Sequence, residues 1–176
     1  MEVDHIFIFT KPNAPEPEDL IKAGFTEGAS NTHPGQGTEN RRFFFNNFML
    51  EFIWVNNEAE VRSPLISRTR LWERSRHEIS RYSPFGICVR ESDDENECLI
   101  ENSWDFKPPY LPSNMKMDVC DNDQCPNEPM IFATPFKKPA ADLSALSKHA
   151  NGIKNLTKIT LHDSSKDASQ DLSRLN

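Results

Sequence analysis

The segment His33–Val55, HPGQGTENRRFFFNNFMLEFIWV, decides how this chain folds. It reads as a Gly/Pro turn, a strand, a two-residue turn at Asn46-Asn47 and a second strand. Asparagine tolerates positive φ, so an Asn-Asn pair between β-prone runs can close a tight hairpin. That turn puts Phe45 opposite Phe48, Phe44 opposite Met49, Phe43 opposite Leu50 and Arg42 opposite Glu51. Side chains alternate across a sheet. One face therefore carries Asn40, Arg42, Phe44, Met49, Glu51 and Ile53; the other carries Arg41, Phe43, Phe45, Phe48, Leu50, Phe52 and Trp54. The second face is almost wholly apolar and is expected to pack on a helix. The first sets a guanidinium and a carboxylate among hydrophobes, which a core does not keep without a reason. Two readings of Glu51 stand open. It is a cross-strand ion pair with Arg42, contributing about 0.2–1 kcal/mol if exposed, or a ligand or acid–base group in a cleft.

Upstream, Glu2–Thr10 alternates as a strand, and Pro15–Ala23 reads as a short helix with early acids and Gly24 as its stop. With a short strand at Phe25–Ser30, residues 1–57 make a β-α-β-β-β module. Residues 58–82 form a helical connection, with a turn at Glu58–Arg62 and a helix at Thr69–Ile79 that packs Trp72. Pro84–Arg90, Met115–Cys120 and Met130–Thr134 are strand candidates, and WDFKPPYLP (Trp104–Pro112) is too proline-rich for a central strand. Ala140–His149 reads as a helix and Leu156–Leu161 as the start of a further strand. Residues 83–161 are thus a divergent second module, and 162–176 have little to bury and are expected to be disordered. The fold class is α+β: paired βαβββ modules forming a curved mixed sheet around a cleft, the second degenerate or truncated.

Composition narrows the function classes. A net charge of −7 over 176 residues argues against a general nucleic-acid binder, which needs a basic footprint. Arg62, Arg68, Arg70, Arg74, Arg76 and Arg81 do crowd together, but acids interleave with them, as on a solvated surface. No apolar run approaches the roughly 20 residues that span a bilayer. No signal segment opens the chain, so a cytoplasmic location is expected. Cys88, Cys98, Cys120 and Cys125 lack zinc-ribbon spacing and read as free thiols.

The order β-α-β-β-β, Asp4-His5-Ile6 in the first strand and Leu50-Glu51-Phe52 in the last resemble the vicinal oxygen chelate superfamily, which includes glyoxalase I, bleomycin-resistance proteins and extradiol dioxygenases. More narrowly, HPGQGTENRRFFFNNFMLEFIWV, followed by SPFGIC, WDFKPPYLP and HANGIKNLT, is similar to bacterial glyoxalase-like domain proteins. The resemblance implies a curved sheet around a cleft, often with a divalent metal (Zn, Ni, Fe or Mn) held by two residues from each module. His5 and Glu51 match ligand positions. The second module departs: Phe85 and Gly86 stand where a His would be wanted, and Met130–Thr134 offers no carboxylate.

The remaining candidates are contacts to a ligand. The loop HPGQGT offers His33, Gln36 and two glycines that let backbone approach closely, and it lacks the features of a phosphate loop. Asn40 and Arg42 share the face of Glu51, and Arg can grip a carboxylate or phosphate. Two functions are expected from these residues. As an enzyme of the lyase, isomerase or dioxygenase type, the protein would use Glu51 and His5 as metal ligands or a base, with Arg42 steadying an oxyanion. As a binding module, the same cleft would sequester a small molecule without turnover. Glu51→Gln is expected to be close to neutral for stability. A homodimer is expected, to cover sheet edge and apolar surface.

Overall fold

Residues 2–90, 100, 102–136 and 146–161 are described by the structure, a computed structural model. Their strands are β1 (Glu2–Phe9), β2 (Asn31–His33), β3 (Thr38–Phe44), β4 (Met49–Val55), β5 (Phe85–Arg90), β6 (Ser103–Phe106), β7 (Met117–Cys120) and β8 (Met130–Ala133). The helices are short: α1 (Pro17–Lys22), α2 (Glu58–Val61), α3 (Pro64–Ser67) and α4 (Leu71–Ser75). All eight strands lie in one sheet of order β2-β3-β4-β1-β5-β8-β7-β6. The first module contributes β2-β3-β4-β1 and the second β5-β8-β7-β6, joined where β1 runs antiparallel to β5. Each module closes with a parallel pair, β1 with β4 and β5 with β8. The second module is the reduced one: β6, β7 and β8 have four residues each, against seven in β3 and β4. Among the described residues between β5 and β6, no helix answers to α1.

The β3–β4 register matches the expectation, with Arg42 opposite Glu51 and Phe44 opposite Met49, and Phe45 N–H donating to the Phe48 carbonyl at 2.7 Å. The reason differs from the one expected. Neither Asn46 nor Asn47 takes a positive φ. Their polar groups instead clamp a later segment: Asn46 N–H donates to the Lys154 carbonyl at 2.9 Å, and the Asn47 amide exchanges hydrogen bonds with the Leu156 backbone at 2.8 and 3.1 Å. Leu156–Leu161 is accordingly not a strand. Leu156 and Leu161 pack on the apolar face of the hairpin, with Leu20 and Phe25 from the α1 region. That face was expected to meet a helix alone; six-residue α1 is too short to cover it, and residues 146–161 share the work.

Other differences follow from local chemistry. The short second strand lies at Asn31–His33, later than Phe25–Ser30. The expected helix Thr69–Ile79 shrinks to α4, and Ile79 is 75% exposed. Trp72 has the Arg62 and Arg76 guanidiniums over its ring at 5.3 and 5.2 Å. Within WDFKPPYLP, Ser103–Phe106 does form a strand, β6, at the sheet edge and ending before Pro108, where proline costs no ladder bond. The arginine cluster is structural. Arg74 is buried and donates to the Ser83 and Glu128 carbonyls at 2.9 and 3.0 Å, while Arg68 and Arg70 pair with Asp121 and Asp123. Cys88 is a buried free thiol. Cys98, most of the expected helix Ala140–His149 and the tail 162–176 lie outside the described residues; residues 146–149 are not helical.

Candidate functional site

The polar face of the hairpin opens onto a cavity of about 590 Å³. Asn40, Arg42, Phe44, Met49, Glu51 and Ile53, the six residues assigned to that face, all line it. β1 adds His5 and Phe7, and β8 adds Met130 and Phe132. The volume suits a small organic ligand, and the walls are largely apolar.

His5 and Glu51 point into the same hollow. His5 Nε2 stands 3.8 Å from Glu51 Oε2. The other carboxylate oxygen, Oε1, accepts a hydrogen bond from the Asn40 side-chain amide. Glu51 is buried, at 5% exposure. The expected ion pair with Arg42 does not form. Although directly opposite Glu51 in the ladder, Arg42 donates from Nε to the Ala29 carbonyl at 2.8 Å and lies 5.2 Å from the centroid of the Phe44 ring. Burial lowers the pKa of Arg42, and the nearby charge of Glu51 offsets only part of that.

The structure adds Asp4 to the site. Plain alternation would turn Asp4 away from His5, but the ladder shifts register between Val3 and His5, so that Val3 faces Val89, His5 faces Cys88 and Asp4 is left over. Such a bulge re-aims a side chain. Asp4 Oδ1 sits 2.7 Å from His5 Nδ1, while its Oδ2 accepts from Arg90 at 2.7 Å. Burial disfavours the charged form of His5, yet Cys88, Asp4 and Glu51 outweigh it and hold the imidazole pKa well above its ordinary value. Burial likewise opposes ionised Asp4, but His5 and Arg90 bring its pKa below the usual range. For Cys88, burial pushes the thiol pKa up.

His33, at the end of β2, and Gln36, in the turn after it, line the cavity. Both are buried and meet at the Thr38 hydroxyl: His33 Nδ1 lies 2.9 Å from it, and Gln36 Nε2 donates to it at 2.8 Å. Burial lowers the pKa of His33. The glycines of this turn do bring backbone close, but to protein. A Cβ on Gly35 would meet Pro109 at 2.7 Å, and one on Gly37 would meet the Asn57 carbonyl at 2.3 Å. Pro109 belongs to the loop after β6, at the opposite edge of the sheet from β2. The neighbouring Tyr110 stacks on His33 with centroids 4.8 Å apart and also lines the cavity. The two sheet edges therefore meet across the hollow. Tyr110, Asp4 and Cys88 had no firm signal in the sequence, since each joins the site through contact with a distant segment.

The donor set bears on whether a divalent ion fits. Asp4, His5 and Cys88 each offer a ligand atom within 4.8 Å of the others. Glu51 faces the far nitrogen of the same imidazole at 3.8 Å, a separation that two ligands of one ion can adopt given bonds of about 2.0–2.2 Å. Carboxylate, imidazole and thiol together suit a transition metal.

A family model described as "Glyoxalase-like domain" matches residues 3–102. No curated protein matches significantly. Among solved structures, a hypothetical protein from Bacillus halodurans C-125 is similar over 80% of this chain and 97% of its own, with 14% identity and a TM-score of 0.46. A hypothetical protein from Staphylococcus aureus is similar over 76% of this chain and 58% of its own, with 16% identity and a TM-score of 0.42. Among the described residues no helix is long and apolar enough to cross a membrane. With the family model spanning more than half of its length, this chain belongs to the glyoxalase-like domain family of the vicinal oxygen chelate superfamily.

Proposed function

We propose that this protein binds a small oxygenated molecule in the sheet-lined cavity and acts on it by proton transfer between Glu51 and His5. One observation carries the reading: a carboxylate and an imidazole face each other at 3.8 Å in a hollow whose walls are largely apolar. Asp4 orients the imidazole through Nδ1, which leaves the Nε2 proton directed at Glu51 and the ligand. Glu51 takes a proton from the carbon beside a ligand carbonyl, and the C–H electron pair becomes the new C=C bond. The carbonyl oxygen gains the Nε2 proton of His5, so a ligand with a hydroxyl on the attacked carbon leaves this step as an enediol. Return of the Glu51 proton to the former carbonyl carbon, while His5 takes back the proton of the other hydroxyl, gives an isomer. Asn40 holds Glu51 in position. His33 and Gln36, tied to Thr38, shape the mouth. Arg42, turned from Glu51, serves binding rather than chemistry.

A divalent ion (Zn, Ni, Fe or Mn) is the alternative form of the proposal, in which His5 would ligate instead of donating a proton; the ion would be held by His5 and Glu51 or by Asp4, His5 and Cys88. When bound, it would polarise the ligand oxygen. We place the protein in the cytoplasm.

Metal analysis of the purified protein, coupled to ligand binding, tests both parts. Stoichiometric metal lost in His5→Ala and Glu51→Gln supports the metal-assisted form. Exchange of a ligand C–H proton with deuterated water, abolished in Glu51→Gln, supports proton transfer. Ligand binding without exchange would identify a sequestering module instead.

A further inference from the structure

We propose that the cavity selects an anion: a small monocarboxylate with an aryl or branched alkyl body, its carboxylate seated on Arg42. The inference rests on the reading of this cavity as a ligand site. Arg42 is half-buried on the cavity wall. Its Nε is spent on the Ala29 carbonyl at 2.8 Å and its face on the Phe44 ring at 5.2 Å. Those two contacts fix the plane of the guanidinium and leave its terminal amines without a hydrogen-bond partner among the described residues.

Other arginines of this sheet have carboxylates. Arg41 pairs with Glu27 and Glu18 at 2.5 and 2.8 Å, and Arg90 with Asp4 and Glu2 at 2.7 and 3.1 Å. Among the described residues, Arg42 has no carboxylate partner. The acid opposite it in the ladder is turned elsewhere, with one oxygen on Asn40 and the other facing His5. A cation drawn out of water without a counter-charge is unfavourable, and a ligand carboxylate relieves it. The planar fork matches a carboxylate bidentately. A phosphate dianion would need further donors, whereas the walls nearby are Phe7, Phe44, Phe106, Met130 and Phe132. Directly opposed residues have Cβ atoms roughly 5 Å apart. The anchored carboxylate and the C–H presented to Glu51 therefore belong to one small molecule.

The test compares hydrocinnamate with its neutral, equally shaped amide by titration calorimetry on the full chain. Wild type is expected to bind the carboxylate about 10-fold more tightly than the amide, as a charge-assisted pair requires. Arg42→Gln should erase that preference, and Arg42→Lys should keep part of it. Equal wild-type affinity for both probes overturns the anion selection and leaves the cavity reading standing. Failure of both probes to bind, or binding indifferent to a cavity-filling Phe132→Trp, overturns the cavity reading and this inference with it. Should Arg42→Gln misfold, the wild-type comparison alone decides.

Discussion

Replacing Gly86 by alanine should damage this protein out of proportion to one methyl group. Gly86 lies in β5 directly opposite Phe7 of β1, and a Cβ built there would come within 2.0 Å of Phe7 Cε1 and 2.2 Å of Cζ. The ring cannot simply swing away. Phe9 stands edge-on to it with centroids 5.6 Å apart, and Phe132 lies on another side at 6.0 Å. Phe7 is 4% exposed, so the shift must be passed into packed neighbours. Overpacking of this kind costs about 1–3 kcal/mol. For a chain of this length each kcal/mol lowers the melting temperature by roughly 2–4 °C. Urea unfolding of Gly86→Ala should show that loss with an unchanged m-value. Phe7→Leu in the same chain should recover part of it, because a double-mutant cycle on two touching residues exposes their coupling. Wild-type stability in the single variant, or strict additivity in the double, would refute the argument that Gly86 exists to seat the ring at the cavity floor.

The charged imidazole of His5 makes stability depend on pH. Its folded-state pKa is raised, so its contribution is complete below the unfolded value of about 6.5 and disappears as pH climbs through the folded value. Wild-type unfolding free energy should fall across that alkaline window relative to His5→Gln; parallel profiles would contradict the Asp4 and Glu51 contacts. Glu51→Gln keeps an acceptor for Asn40, and Asp4 still balances the His5 charge, so its stability should stay within about 1 kcal/mol of wild type. The same change should move the His5 titration, followed by imidazole NMR, toward lower pH, and an unmoved midpoint would mean the two groups do not face each other. We expect a homodimer, with Leu65 and Ile79, 55% and 75% exposed, available for burial; sedimentation showing monomer alone at high concentration would dismiss it.

The hairpin from Thr38 to Val55 was legible because period-two alternation is a local property. Its register, its two faces and the inward placement of Arg42, Asn40 and Glu51 could all be read from residue order alone. His5 joined them through the family resemblance. The bulge that turns Asp4 onto His5 could not be read, since it depends on how β5 lies against β1, some eighty residues away in the chain. The partner of Arg42 was misjudged for a related reason. Opposition in a ladder sets Cα positions, whereas Asn40, Ala29 and Phe44 decide where the side chains of Glu51 and Arg42 go. The asparagine turn had the right place and the wrong purpose, because its hydrogen-bond partners, Ser147, Lys154 and Leu156, lie some hundred residues further along the chain.

Alternation along the strands thus settled which side chains look inward, since each residue's direction follows from its neighbours. Closure of the hollow, with His33 against Tyr110 across opposite sheet edges, belonged to the tertiary structure. Contacts between distant segments depend on the curl of the whole sheet, and no local pattern encodes that.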